Sequence, residues 1–262
     1  GSHDEGKSFV FERYGFRHIM ANLILYNTVM GLAASAGVLL LVVFSQRGAR
    51  APADVRKAWA VVFGALGTVL TVLGVHLNVE WPLLGAANVI FGEPSLMFGV
   101  LLLAAAVIIY RTPVEEAKSL SEMDDGISLS DLWDVEPLPR ELAVALRPVA
   151  YVGALAGVMV VLLGWGGAAF GEIVFRPPTT EWPTGIVAGT GLEIVYMTAT
   201  YTLLGLGAIL LPAGLHNPDR LRTAGVLLSV SALLVLFITL ISFLGHVSLS
   251  AGVPPGGIPW PP

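Results

Sequence analysis

Eight ionisable side chains lie near the ends of long apolar stretches, and all eight fall at the same end of those stretches. Placing such a group at hydrocarbon depth costs roughly 2.5 to 3.5 kcal/mol at a helix centre, so their accumulation on one side indicates a site. The eight residues are His18, His76, Glu80, Glu93, Glu172, Glu181, Glu193 and His246.

Neutral imidazoles and ionised carboxylates are the donors that mononuclear and dinuclear Zn, Fe, Cu and Mn sites use. The pattern therefore predicts a metal site with the ligands His18, His76, Glu93, Glu193 and His246. The three histidines also offer axial pairs for haem b, which would give a redox role. The same groups suit a proton or cation pathway, or they only hydrogen-bond the helix ends together. These alternatives stay open at this stage.

Polar residues recur at helical spacing on three of the apolar stretches, starting each time from the end that carries the ionisable groups. The three stripes are His18, Asn22 and Tyr26; Glu193, Tyr196 and Thr200; and Thr239, Ser242 and His246. We expect Asn22, Tyr26, Tyr196 and Ser242 to support the site. None of the stripes continues to the opposite end, which favours a blind pocket over a channel.

The eight ionisable residues are not equally good candidates. Glu193 lies in a stretch without a basic residue, so we expect a metal, a histidine or protonation to meet its charge. Glu93 precedes Pro94, so it is either a ligand or the cap of a helix that starts there. His76 and Glu80 share a helix face only if the helix continues past Leu77.

Three further carboxylates are expected to be interfacial rather than ligands. They are Glu80, Glu172 and Glu181. His216 lies in a turn at the opposite end and is excluded.

The chain of 262 residues is 55% hydrophobic and 13% charged, with a mean hydropathy of +0.78. A soluble domain cannot cover its surface with so few polar groups, so an all-α integral membrane protein is predicted. Six stretches are long enough to cross the bilayer. They lie near 18 to 45, 57 to 77, 94 to 111, 148 to 171, 190 to 212 and 223 to 246.

Basic residues fall mainly in the three connections that share a side. Ten lie there, and four lie opposite, which predicts that the first group is cytoplasmic. Both termini then face outward across the plasma membrane. The predicted parts are an outer segment 1 to 17, a membrane domain 18 to 246 with an acidic cytoplasmic loop 112 to 147, and a Pro/Gly-rich outer tail 247 to 262.

The composition also excludes several classes of site. With no cysteine there is no disulfide, thiolate metal site or covalent c-type haem. The net charge of −5 gives no reason to expect nucleic-acid binding. The chain carries no P-loop, His-Glu-x-x-His or Gly-x-Ser-x-Gly motif, so no reaction is predicted. The expected partners are the lipid bilayer and, in an accessory or scaffold role, other membrane subunits or a second copy.

A Glu-Trp-Pro tripeptide occurs twice, each time between an outgoing and a returning span. Glu80-Trp81-Pro82 is followed by Glu93, and Glu181-Trp182-Pro183 is followed by Glu193. This echo predicts a parallel internal repeat of helix pairs 2-3 and 4-5.

Residues 80 to 99, with the elements Trp81-Pro82-Leu83 and Asn88-x-x-Phe-Gly-Glu93, resemble a family of prokaryotic integral membrane proteins known as domain of unknown function 981. The resemblance implies a fold with several membrane spans and no assigned reaction.

Overall fold

Long helices make up almost all of the chain that the structure, a computed structural model, describes: residues 24–83, 86–115, 136–173, 182–187 and 190–250. A π-helical segment, Ile24–Met30, leads directly into α1. The helices are α1 (Gly31–Gln46), α2 (Ala53–Glu80), α3 (Ala87–Arg111), α4 (Arg140–Ala169), α5 (Leu192–Gly214) and α6 (Pro218–Ser250). Short 3-10 turns, Gly48–Arg50 and Thr184–Val187, lie in two connections. No strand occurs in these residues.

Six helical segments are long and apolar enough to cross a membrane, counted over the described residues. Hydrocarbon offers no hydrogen bonds to the backbone, and a helix satisfies nearly all of its own N–H and C=O groups. Six apolar helices of this length fit a multi-pass membrane protein.

The helices form a ring in chain order. Each packs against its neighbours in sequence, and α6 returns to pack against α1 and close the ring. We call the helix ends that carry Arg50, Arg56, Arg111 and Arg147 the basic end. The opposite ends, which carry His76, Glu193 and His246, are the His/Glu end.

The predicted spans match the helices in number and order, but four helices, α2, α3, α4 and α6, start earlier than predicted. The sequence interpretation began spans at Pro94 and Pro148, and both prolines lie inside helices, α3 and α4. Helix α6 starts at Pro218, where a proline suits the first turn and Asn217 Oδ1 accepts a hydrogen bond from Arg220 N. The parallel repeat of helix pairs stays a prediction.

Glycine pairs bring the backbones of two hairpins close together. A Cβ added at Gly67 of α2 would lie 2.8 Å from the Gly99 carbonyl oxygen of α3. A Cβ at Gly157 of α4 would lie 2.6 Å from the Gly205 carbonyl oxygen of α5. Since real Cβ atoms do not approach so closely, only glycine permits these crossings.

Pro94 leaves one carbonyl of α3 without its helical donor. Proline has no N–H, so the carbonyl of Ile90, four residues earlier, cannot receive the usual bond. The hydroxyl of Tyr201 on α5 donates to this oxygen at 2.7 Å, and the bond is buried. Tyr201 thus replaces the missing N–H and joins two helices that are not neighbours in the ring.

We predict that Tyr201→Phe lowers the free energy of unfolding by about 0.6 to 1.7 kcal/mol, the usual range for hydrogen bonds between membrane helices. The measurement is unfolding in detergent micelles. Pro94→Ala restores the N–H, so Tyr201→Phe should cost less in that background. Equal costs in both backgrounds would contradict the exchange of donors.

Candidate functional site

A cavity runs through the centre of the ring. Its volume is about 290 Å³, roughly twice that of the ~150 Å³ apolar cavity that binds benzene in an engineered protein. Five helices line it, and α2 contributes none of the lining within the described residues. On α6 the lining extends from Leu221 to Ser242, which corresponds to about 32 Å at 1.5 Å per residue. The cavity is therefore slender and nearly as long as the hydrocarbon core is thick.

The lining is apolar because most of its hydroxyl groups bond to helix carbonyls. Ser35 donates to Gly31 O, Ser45 to Val42 O and Thr200 to Tyr196 O. Ser231 of α6 donates to Thr200 O across the α5–α6 contact. These hydroxyls are satisfied within the protein, so the cavity wall presents mainly their carbon atoms and those of Leu, Val, Phe and Ala side chains.

The predicted site residues Glu193 and His246 continue two faces of this cavity at the His/Glu end. Glu193 lies one turn outward of Met197 on α5, and His246 lies one turn outward of Ser242 on α6; Met197 and Ser242 both line the cavity. Glu193 is 7% exposed and His246 is 5% exposed. Both make a polar or ring contact. Two buried ionisable groups thus lie at the His/Glu end of an apolar cavity.

Contacts between α5 and α6 show where Glu193 and His246 lie relative to each other along the helix axes. Tyr196 Oη donates to Leu234 O at 2.6 Å, and Ser231 Oγ donates to Thr200 O at 3.0 Å. This antiparallel register, with the close approach of Gly207 to Leu228, places Glu193 inward of His246 along the axis, level with the outer part of the cavity lining on α6 between Ile238 and Ser242. Their side chains lean towards each other, since each Cβ tilts to the N-terminus of its own helix.

Tyr26 closes the same end of the cavity from the π-helical segment. Its side chain is 1% exposed and lines the cavity, and its hydroxyl is hydrogen-bonded to His76 Nδ1. His76 itself is exposed on α2, and this helix continues to Glu80, as the shared face of the two residues requires. His76 therefore lies outside the cavity and uses one ring nitrogen to hold Tyr26.

Tyr26 lies outside the span Thr28–Gln46. Burial raises the pKa of its phenol, and the negative charge of Glu80 raises that pKa further. The phenol therefore stays neutral at physiological pH and remains a hydrogen-bond donor.

The other predicted residues do not gather around one centre. Glu93 is the seventh residue of α3, so the hypothesis that it caps a helix starting at Pro94 is wrong. Glu80 and Glu172 are exposed, as interfacial residues should be. Tyr196 donates to a backbone carbonyl of α6 and so joins two helices. His18, Asn22 and Glu181 lie outside the described residues.

No three His, Asp or Glu side chains come together as a metal site in the part of the chain that the structure describes. The five predicted ligands included His18, which lies outside that part. Of the other four, His76 is exposed and Glu93 half-buried, and only Glu193 and His246 are buried. Metal and haem binding stay predictions.

Two side-chain clamps at the His/Glu end were not predicted. Asn88, fully buried, accepts a hydrogen bond from Leu83 N at 2.9 Å and donates to Leu83 O at 2.7 Å. Ser248 of α6 accepts from Trp182 N at 3.2 Å. Each clamp holds a residue next to a Glu-Trp-Pro proline, which explains how both loops stay near the helix ends. The sequence signal for the first clamp was Asn88, which belongs to the motif Asn88-x-x-Phe-Gly-Glu93.

The chain matches the model of one family over residues 20–249, and the family is described as Protein of unknown function (DUF981). This match confirms the resemblance that residues 80 to 99 indicated. No curated protein and no solved structure matches the chain.

We predict that the Tyr26 phenol titrates above its ordinary value of about 10. The measurement is the difference in phenolate absorbance between the wild type and Tyr26→Phe as pH rises. Glu80→Gln should lower this pKa, because it removes a charge that disfavours the phenolate. Glu172→Gln, at another exposed site of the same end, is the control and should leave it unchanged.

The raised pKa of Tyr26 also makes the stability of the protein depend on pH. A phenol whose pKa is raised by folding contributes stability that is present below the unfolded pKa and lost as pH rises above about 10. A Tyr26 midpoint at or below about 10 would contradict the burial of this hydroxyl.

Proposed function

The chain belongs to this family of unknown function, and we propose that it binds an amphipathic ligand inside its helix ring. The hydrocarbon part would lie in the central cavity, and the polar head would lie at the His/Glu end near Glu193 and His246. The observation that carries the proposal is the cavity itself: it is long, slender and apolar, and buried polar groups lie at one of its ends.

The shape of the cavity favours a chain over a bulky ring. About 290 Å³ distributed along roughly 30 Å leaves a narrow path, which suits an acyl or isoprenoid chain better than a planar macrocycle. The helices around the cavity are themselves apolar, so the ligand that fits the cavity best is one that also partitions into the bilayer. A lipid or lipid-like molecule meets both requirements.

The polar end supports an amphipathic ligand rather than a pure hydrocarbon. Tyr26, Thr239 and Ser242 line the cavity at this end and bring hydroxyl groups to it. Each of Glu193 and His246 lies one turn outward, on its own helix, of a residue that lines the cavity. A head group with hydroxyl, carbonyl or amine functions can exchange hydrogen bonds with these side chains.

A cation or proton pathway is less favoured by this geometry. Towards the basic end the cavity is lined by side chains such as Phe44, Leu146, Leu215 and Leu221. An ion would lose its hydration there without gaining ligands. An accessory role in a membrane complex, and the outward orientation of both termini at the plasma membrane, stay predictions from the sequence.

We predict that Gly153→Leu removes the bound ligand. Gly153 lines the cavity, and a Cβ added there would meet its nearest atom, on Leu101, at 3.9 Å, so the backbone accepts a side chain that then fills the cavity. Gly166→Leu on the same helix is the matched control, because nothing lies within 4 Å of its added Cβ. The two variants share the same gain in helix propensity.

The measurement is mass spectrometry of organic extracts from protein purified in mild detergent. Wild type and Gly166→Leu should carry about one amphipathic molecule per chain, as expected for one cavity of ligand-pocket size. Gly153→Leu should carry several-fold less. Purified wild type without such a molecule, or equal amounts in both variants, would exclude the proposal.

As a second candidate, we propose that a transition metal or haem b binds at the His/Glu end. It is supported by the burial of Glu193 and His246, whose donor atoms are of the types that Zn, Fe, Cu and Mn accept. The sequence predicts His18 as a further donor.

Metal analysis and an absorption spectrum of the purified protein separate the two candidates. A metal ion predicts about one equivalent of metal, lost in both His246→Ala and Glu193→Gln because each removes a donor. Haem, which the histidines would hold, predicts about one equivalent of haem, lost in His246→Ala and retained in Glu193→Gln. Glu172→Gln, at an exposed position, is the control and should retain it. If all these proteins are free of metal and haem, the second candidate fails and the amphipathic ligand is unaffected.

A further inference from the structure

Arg56 is a buried base at the end of the molecule opposite the candidate site. It lies in the first turn of α2 and is 4% exposed. Its Nε and Nη1 atoms are buried and have no hydrogen-bond partner among the described residues. A buried guanidinium without acceptors destabilises a protein far more than an exposed one does. An acceptor from outside the described chain would remove that cost.

The neighbouring basic residues, Arg50 and Lys57, differ from Arg56 because they have acceptors. Arg50 forms an ion pair with Glu136 and donates to the Pro137 carbonyl. Lys57, the next residue after Arg56, is half-exposed and lies 3.7 Å from Asp54. Both therefore have an acceptor within the chain.

Two carboxylates, Glu141 and Asp54, are the acidic groups that could compete with an anion for Arg56. Glu141, on the first turn of α4, attracts the guanidinium electrostatically but forms no ion pair with it in the described structure. Asp54 is almost fully exposed and faces Lys57, so solvent screens its charge. Neither carboxylate occupies the two buried nitrogens.

We propose that Arg56 binds a phosphate-class oxyanion. A guanidinium presents several N–H donors in a plane, which matches the oxygens of phosphate better than any other side chain does. Arg56 also lies at the N-terminus of α2, where the positive end of the helix dipole adds to its charge. The oxyanion is the headgroup of a lipid at this membrane surface or free phosphate. The site is independent of the proposed ligand cavity, because α2 does not line that cavity.

The test compares melting temperatures of wild type, Arg56→Met and the control Lys57→Met. Lys57→Met removes the same charge one residue away, from an exposed side chain that already has a partner. One arm titrates inorganic phosphate against chloride at equal ionic strength in neutral detergent. The other arm compares nanodiscs of phosphatidylcholine with nanodiscs that also contain phosphatidic acid.

Wild type and Lys57→Met should gain roughly 3 to 6 °C at tenfold excess over the dissociation constant in at least one arm. A gain with free phosphate identifies a soluble anion, and a gain only in the anionic nanodiscs identifies a lipid headgroup. Arg56→Met should gain nothing in either arm.

The order of the melting temperatures of wild type and Arg56→Met should reverse when anion is added. Without anion, Arg56→Met should melt no lower than wild type, because methionine places no unpaired charge in the interior. With anion it should melt below wild type. Arg56→Lys, which keeps the charge and loses the planar donors, should respond less than wild type and serves if the methionine variant does not fold. The proposal is overturned if neither anion source moves the wild type, or if Arg56→Met responds as wild type does.

Discussion

The hydrogen bond from Tyr201 to the Ile90 carbonyl is the interaction on which the arrangement of the ring depends. Hydrocarbon supplies no donor, so a carbonyl released by a proline inside a membrane helix must find one within the protein. Tyr201 provides it from α5, across the ring. The bond fixes the distance between two helices that do not pack as neighbours, and a slender space is left between them. Tyr201 and Pro94 both line that space.

The same requirement explains why the cavity is apolar although serines and threonines line it. In membrane helices, a hydroxyl finds its nearest acceptor at the carbonyl one turn earlier on its own helix. Ser35 and Thr200 use that acceptor, and Ser231 uses a carbonyl of the adjoining helix. Each bond saturates the hydroxyl proton and turns the polar atom away from the interior. A wall built in this way holds a hydrocarbon chain better than an ion.

The sequence was sufficient for the class of fold because six long apolar stretches have few structures available in a bilayer. It failed at helix starts where proline was taken as a boundary: Pro94 and Pro148 both lie inside helices. Proline is tolerated inside a helix when another group meets the released carbonyl, and for Pro94 that group lies more than a hundred residues away, on Tyr201. Helical spacing predicted which polar residues share a face. It could not predict the cavity, which is a gap between five helices and depends on their tertiary packing.

Glu193 shows how the structure changes the weight of the competing functions. The sequence interpretation expected its charge to be met by a metal, a histidine or protonation. The structure places it second in α5, after the left-handed Gly191, where the N–H groups of the first helical turn and the helix dipole stabilise a carboxylate by about 0.3 to 2 kcal/mol. The helix itself favours a carboxylate at this position, so the burial of Glu193 does not by itself indicate a metal. Its carboxylate can instead accept hydrogen bonds from a ligand head group. Because Glu193 also lies on the helix face that lines the cavity one turn below, its burial fits the polar limit of an amphipathic site better than one ligand of a metal centre.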